Sequence, residues 1–232
     1  MTNYKDTVNL LTSGFTSRNN NNGIMQHIGT VVLTLALVSQ AQGASKAKLG
    51  LYYESLCPDS QDFFQDQFIR TYESLGQYLD VYFNPFGHAT YTQTSEGGWT
   101  FECQHGPNEC YGNLIQACIL DRVQDQDIRS EVITCIMTST DQSTSWEETN
   151  KKCIDVVPEL DYNDIIGCQS STEGENLLKN MGEITLSMEP PVSWVPWVII
   201  NEVYVEDDFD ATQYQLKELL CEKYLSDVPE CQ

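Results

Sequence analysis

The run Leu49-Gly50-Leu51-Tyr52-Tyr53-Glu54-Ser55-Leu56-Cys57-Pro58-Asp59-Ser60 constrains this chain more than any other stretch. Its apolar first half reads as a buried strand, and Phe63, Phe64, Phe68, Ile69 and Tyr72 follow at helical spacing. Cys57 therefore stands where a strand hands over to a helix. Pro58 suits the first helical position, because its missing N–H would have had no partner there. A thiol at this junction lies beside free backbone N–H groups and the positive end of the helix dipole, both of which favour the thiolate. The sequence thus predicts a reactive Cys57. The plain alternative is a structural half-cystine, which has no need of such a junction.

With 232 residues, the chain fits one or two domains and buries a core without covalent help, so nine cysteines exceed what stability requires. That number points to an oxidising compartment, with one cysteine left over after four pairs. The balance of 12 basic against 34 acidic residues gives a net charge of −22, which excludes nucleic acid and anionic membrane as partners. Such a charge fits a soluble protein of an acidic organelle, and a solvated acidic surface accounts for it as well.

Residues 1–24 are polar, with Asn19 to Asn22 in a row, and read as a disordered upstream extension. Met25-Gln26-His27 then precedes the apolar run Ile28 to Val38, too short to span a bilayer comfortably, and the small residues of Ala41-Gln42-Gly43. Residues 25–43 read as a secretory signal peptide, with Met25 as the true start and a signal anchor as the alternative. The mature domain is expected over 44–232, beginning near Ala44 or Ser45.

Beyond the Cys57 helix, which should end at Gly76, Leu79-Asp80-Val81-Tyr82-Phe83 alternates as a second strand closed by Asn84-Pro85-Phe86-Gly87. Tyr91 to Phe101 reads as a hairpin turning at Gly97-Gly98. Six cysteines from Cys103 to Cys168 lie in segments of mostly helical pattern, which predicts an insertion of short disulfide-pinned helices over about 103–185. Strand-like sequence returns at Trp194 to Asn201, with Val203-Tyr204-Val205 as hairpin partner, and a last helix runs from Thr212 to Tyr224. The order β-α-β, helical insertion, β-β-α predicts an α/β, thioredoxin-like fold whose middle is replaced by helices. In that plan a cis proline precedes the third strand and faces the reactive cysteine, and the adjacent backbone pairs with an extended substrate. Val195-Pro196 occupies that place, so Pro58, Val195, Pro196 and Trp197 are the expected substrate-binding residues. An ordinary trans proline on an edge strand is the alternative.

Cys103-Gln104-His105-Gly106-Pro107-Asn108-Glu109-Cys110-Tyr111-Gly112-Asn113-Leu114-Ile115-Gln116-Ala117-Cys118 matches in full the pattern C-Q-H-G-x-x-E-C-x-x-N-x-x-x-x-C. With the upstream cysteine and the downstream Val-Pro-Trp, the chain from about Leu49 to Cys231 resembles the gamma-interferon-inducible lysosomal thiol reductase family. The resemblance implies a thioredoxin-like enzyme that reduces protein disulfides in acidic endosomes and lysosomes. It places the chemistry at Cys57 and leaves Gln104, His105 and Asn113 to hydrogen-bond loop backbone near the disulfides. Spacing alone leaves two other readings of the signature, a zinc cluster of Cys103, His105 and Cys110, and His105 as a general base. The cysteines lack paired C-x-x-C spacing, so no metal is expected.

The family's reactive pair is C-x-x-C, and here Ser60 holds the second position. In a two-cysteine reductase the second thiolate resolves the mixed disulfide formed by the first. Ser60 can only donate a hydrogen bond to the Cys57 thiolate, so release falls to an external small thiol, the one reductant expected in place of a cofactor. Asp59 should oppose the thiolate electrostatically while favouring the helix N-terminus. The balance matters at acidic pH. At about pH 5 a thiol of pKa ~8.5 is ~0.03% ionised, and one of pKa ~6 is about 10% ionised.

No N-x-[ST] sequon offers a route to the lysosome through N-linked sugar, so secretion stays open beside it. The expected partners are disulfide-containing proteins and small thiols, with no membrane after signal cleavage. Two further functions compete: a chaperone-like binding module holding partners by a Cys57 mixed disulfide or a strand edge, and a secreted structural protein stapled throughout. The eight cysteines other than Cys57 (Cys103, Cys110, Cys118, Cys135, Cys153, Cys168, Cys221 and Cys231) are expected in disulfides. They allow 105 pairings, among which Cys221 with Cys231 is favoured by proximity.

Overall fold

The computed structural model describes residues 46–139 and 145–232, and of Trp146 the backbone alone. The expected upstream extension and signal peptide lie outside the described residues. Strand β1 (Ala47–Tyr52) is the middle of a three-stranded sheet ordered β2-β1-β5. It pairs parallel with β2 (Leu79–Asn84), Leu51 opposite Phe83, and antiparallel with β5 (Trp197–Ile200), Tyr52 opposite Trp197. Side chains alternate between faces of a strand, and both faces of β1 are covered. Ala47, Leu49, Leu51 and Tyr53 enter the main core, while Tyr52 packs with Trp197 and Ile199 on the opposite side. Gly50 permits the close pairing with β5, because a Cβ there would stand 2.7 Å from the Ile199 side chain.

The crossover from β1 to β2 is a continuous helical path: α1 (Pro58–Phe63), a π-helical stretch (Phe64–Phe68) and α2 (Ile69–Leu75). Phe63, Phe64 and Phe68 are buried along it, with Phe64 edge-on to Tyr53 and Phe68 edge-on to Phe83. A hairpin of β3 (Thr90–Gln93) and β4 (Trp99–Glu102) follows, turning through Gly97 at φ 90°. Then come five helices: α3 (Pro107–Arg122), α4 (Gln126–Ser139), α5 (Trp146–Asp155), α6 (Tyr162–Gln169) and α7 (Thr172–Leu186). Disulfides tie this layer together, Cys118–Cys168 joining α3 to α6 and Cys135–Cys153 joining α4 to α5. Cys103–Cys110 closes the entry to α3. The fold is α/β and thioredoxin-like, with a disulfide-bearing helical insertion.

Two local expectations give way. Val203-Tyr204-Val205 forms no strand; a single bridge joins Ile200 to Val203. Asn201 and Glu202 turn the chain at φ 52° and 65°, and the Tyr204 ring then stacks on Trp197 with centroids 4.1 Å apart, drawing the backbone away from the sheet. The last helix is two, α8 (Phe209–Tyr214) and α9 (Leu216–Lys223), broken at Gln215 with φ −145°. The Gln67 side chain accepts from the Leu216 amide at 3.3 Å, supplying an orphan donor of the new helix with a partner. Cys221–Cys231 ties α9 to the end of the chain.

Candidate active site

Leaving β1, the chain makes a tight bend before α1, the Cys57 amide donating to the Glu54 carbonyl at 3.4 Å. Cys57 caps α1 with extended backbone, φ −66° and ψ 121°, and its carbonyl accepts from the Gln61 amide at 3.0 Å. Pro58 begins the helix. Among the described residues Cys57 is the one cysteine outside a disulfide. Cys57 is 5% exposed, and its sulfur points at the Val195 carbonyl, 3.7 Å away. The Val195-Pro196 bond is cis, and the Pro196 carbonyl accepts from Gln213 on α8 at 3.1 Å. Cys57, Pro58, Ser60, Val195 and Pro196 thus share one locality. Trp197 does not face it, for its indole is buried on the far side of the sheet against Tyr204.

The helix N-terminus does not by itself decide the charge of Cys57. Burial pushes the thiol up, and the negative charge of Glu54 adds to that; the Ser60 hydroxyl and the backbone N–H groups of Ser60 and Asp59 pull it down. The net shift is upward, against the expectation of a stabilised thiolate. The physical reason is desolvation: a thiolate enclosed between the helix and the cis-proline loop loses more water than the junction's N–H groups replace. Asp59 enters through its N–H, in the opposite sense to the carboxylate effect expected of it. Glu54 is the acid that opposes the thiolate.

Glu54 was not singled out by the sequence reading. A carboxyl inside an otherwise apolar run, three residues before a reactive cysteine, was the available signal. It is fully buried, with one oxygen accepting from the His88 amide at 2.6 Å and the other 3.4 Å from His105 Nδ1. Burial first, and the neighbouring Glu109 second, push its carboxyl up to about 7. Gly87 makes room for it: at φ 55° a Cβ would stand 2.3 Å from Glu54 Cγ.

Glu54 also connects the two sequence motifs. His105 Nδ1 lies 2.6 Å from Glu109 Oε2, and the His105 amide donates to Glu109 Oε1 at 3.0 Å. His105 therefore meets carboxylates, not loop backbone as expected. Asn113 does bond loop backbone, accepting from the Ser55 amide at 3.0 Å, and the Ser55 hydroxyl donates to the Glu109 carbonyl at 3.1 Å. Gly106 caps α3 at φ 86°, and Gln104 is exposed. The signature is thus the floor of the Cys57 loop. The Cys103–Cys110 disulfide removes both sulfurs from any zinc cluster with His105. Glu54, His105 and Glu109 have ligand atoms within 4.8 Å of one another and are the metal-competent group among the described residues. The 2.6 Å contact of His105 with Glu109 is already a hydrogen bond, so a shared proton fits the space as it stands.

Residues 48–157 match the family model of the gamma interferon inducible lysosomal thiol reductase (GILT). A gamma-interferon-inducible lysosomal thiol reductase-like protein of Anopheles gambiae is 32% identical over 198 residues, covering 82% of this chain and 81% of that protein. The chain belongs to the GILT family. A GILT of Carassius auratus, the gamma-interferon-inducible lysosomal thiol reductase, is 31% identical over 187 residues, covering 80% of this chain and 72% of its own. Among solved structures, DsbA of Chlamydia trachomatis superposes with a TM-score of 0.52 at 14% identity, over 76% of this chain and 89% of that one. That likeness carries the fold, and the GILT relatives carry the activity: the chain is a GILT-family thiol reductase. No helix among the described residues is long and apolar enough to cross a membrane.

Proposed function

We propose that this GILT-family reductase acts on protein disulfides through Cys57 alone, as a C-x-x-S variant. The observation that carries this reading is the pairing of the other eight cysteines in four disulfides, none of which reaches Cys57. The Cys57 thiolate attacks one sulfur of a substrate disulfide; a Cys57–substrate disulfide forms, and the other substrate sulfur leaves as a thiolate. Ser60 has no sulfur with which to resolve it. An external thiolate attacks Cys57 Sγ and displaces the second substrate thiolate, and a further one clears Cys57 as a small-molecule disulfide. One substrate disulfide is reduced and two external thiols are oxidised. Pro58, Val195 and Pro196 meet the substrate, with Ser60 holding its hydroxyl toward Cys57.

The setting we assign is the secretory pathway, ending in an acidic endosome or lysosome or outside the cell. It rests on the lysosomal relatives and on a signal peptide over 25–43, ahead of the domain over 44–232. The test is a small-thiol-driven reduction assay at acidic and neutral pH. C57A should abolish activity. S60C should raise turnover most when external thiol is scarce and should reduce the trapped Cys57–substrate species. The upward shift of a buried Cys57 favours a second reading, a module that holds partners in long-lived mixed disulfides. It replaces the first if S60C gains no reductase activity while C57A abolishes the long-lived partner complexes.

A further inference from the structure

Asp59, Asp62 and Asp66 recur at three- and four-residue spacing, which puts them on one side of the helical path that begins at Cys57. They line one wall of a groove of ≈ 410 Å³, faced across it by Trp194, Phe209 and Tyr214. The groove starts beside the reactive sulfur from both directions. Asp59 is two residues beyond Cys57, and Trp194 precedes Val195, whose carbonyl Cys57 Sγ faces at 3.7 Å. Its rings are unusually open for large aromatic side chains: Trp194 is 49% exposed and Tyr214 73%. Among the described residues no lysine or arginine lines it. Three carboxylates at one wall with no basic neighbour in the groove repel one another, an arrangement that a bound cation relieves.

We propose that this groove selects substrates, receiving a peptide segment that carries lysine or, better, arginine a few residues from the cystine to be reduced. The inference rests on the reductase reading above and names the substrate class of the same site. The two walls divide the recognition. The aspartates attract the cationic head, and the aromatic faces take its planar guanidinium or its aliphatic stem. Arginine satisfies both walls at once, whereas a glutamate at the same position meets like charge. Exposed pairs are individually weak, so three acting together shift a rate on the order of tenfold, and the effect is screened by salt.

The test uses synthetic disulfide peptides identical except for arginine, glutamine or glutamate beside the cystine, and the same three with serine in place of cysteine as binding probes. The Cys57 attack rate should rank arginine over glutamine over glutamate. The arginine-to-glutamate ratio should be about tenfold at low ionic strength, and it should shrink in high salt and in the D62N/D66N double variant. The serine-containing probes should bind in the same order. Equal rates and equal binding across the three, or a ratio that survives in D62N/D66N, would overturn the groove proposal while leaving the reductase reading intact. Ordered binding of the probes with no attack by Cys57 on any disulfide would uphold the groove and sink the reductase reading.

Discussion

Cys57 and Glu54 are coupled across three residues. A buried thiolate beside a buried carboxylate is disfavoured twice, once by lost hydration and once by like charge. Glu54→Gln removes the charge and keeps the hydrogen bond from the His88 amide, so the Cys57 pKa should fall. The pH dependence of Cys57 alkylation reads this out, and an unchanged or higher pKa would show that Glu54 does not face the sulfur electrostatically. Because the Glu54 carboxyl titrates at about 7, its proton is on at endosomal pH and its charge no longer opposes the thiolate there. The barrier to ionising Cys57 at acidic pH is then chiefly burial. On the proposed mechanism, attack in that range leans on the Ser60 hydroxyl, which pulls the thiol pKa down. Ser60→Ala, which deletes a group that lowers the thiol pKa, should slow Cys57 alkylation at every pH below that pKa.

At the level of elements, the N-terminal turns of α3 hold the bend that presents Cys57. Asn113→Ala leaves the buried Ser55 amide without its acceptor, which should cost roughly 1–3 kcal/mol in stability and reduce the Cys57 attack rate together. Chemical denaturation measures the first and single-turnover kinetics the second; a loss of stability with no kinetic effect would detach α3 from the chemistry. The strand–Cys57–helix junction, the parallel return to β2 and the hairpin at Gly97 were legible because each has a local cause, in apolar period or turn residues. Less local features were not. The burial of α3 from Cys110 to Leu120 on nearly all sides, half-buried Tyr111 apart, exceeds the single stripe of an amphipathic helix, since it reflects packing against several elements at once. The break at Gln215 depends on Gln67, which lies 149 residues from the Leu216 amide it accepts from. The charge state of Cys57 depends on desolvation by a loop 138 residues downstream, which no pattern around the cysteine reports.

For the molecule as a whole, Glu54 links stability to pH. Its folded pKa of about 7 stands above the ordinary 4.5, so between those values the folded state binds more protons than the unfolded. Stability from this group is fully present below about pH 4.5 and is lost as pH rises through 7, by on the order of 3 kcal/mol. Denaturation midpoints should therefore favour pH 5 over pH 7.5, and E54Q should flatten the difference; a wild-type optimum at neutral pH would refute the assignment. The disulfides contribute unequally. Cys118–Cys168, 50 residues apart in sequence, restricts the unfolded chain by about 4 kcal/mol, against about 3 kcal/mol for Cys221–Cys231 with a separation of 10. Replacing the first pair with alanines should lower the melting temperature further than replacing the second. Cys103–Cys110 has a different significance, because it pins the short loop bearing His105 and opens into α3, on whose carbonyl and side chains the Cys57 bend rests. On the single-cysteine mechanism proposed above, the small thiol that regenerates Cys57 is also a reductant for this bond. On that mechanism the enzyme should work inside a concentration window: too little thiol leaves Cys57 occupied, and too much dismantles the floor beneath it. Turnover plotted against thiol concentration should rise, peak and decline, with the decline coinciding with alkylation at Cys103 and Cys110, so that the reducing strength of its surroundings acts as a throttle on the catalyst.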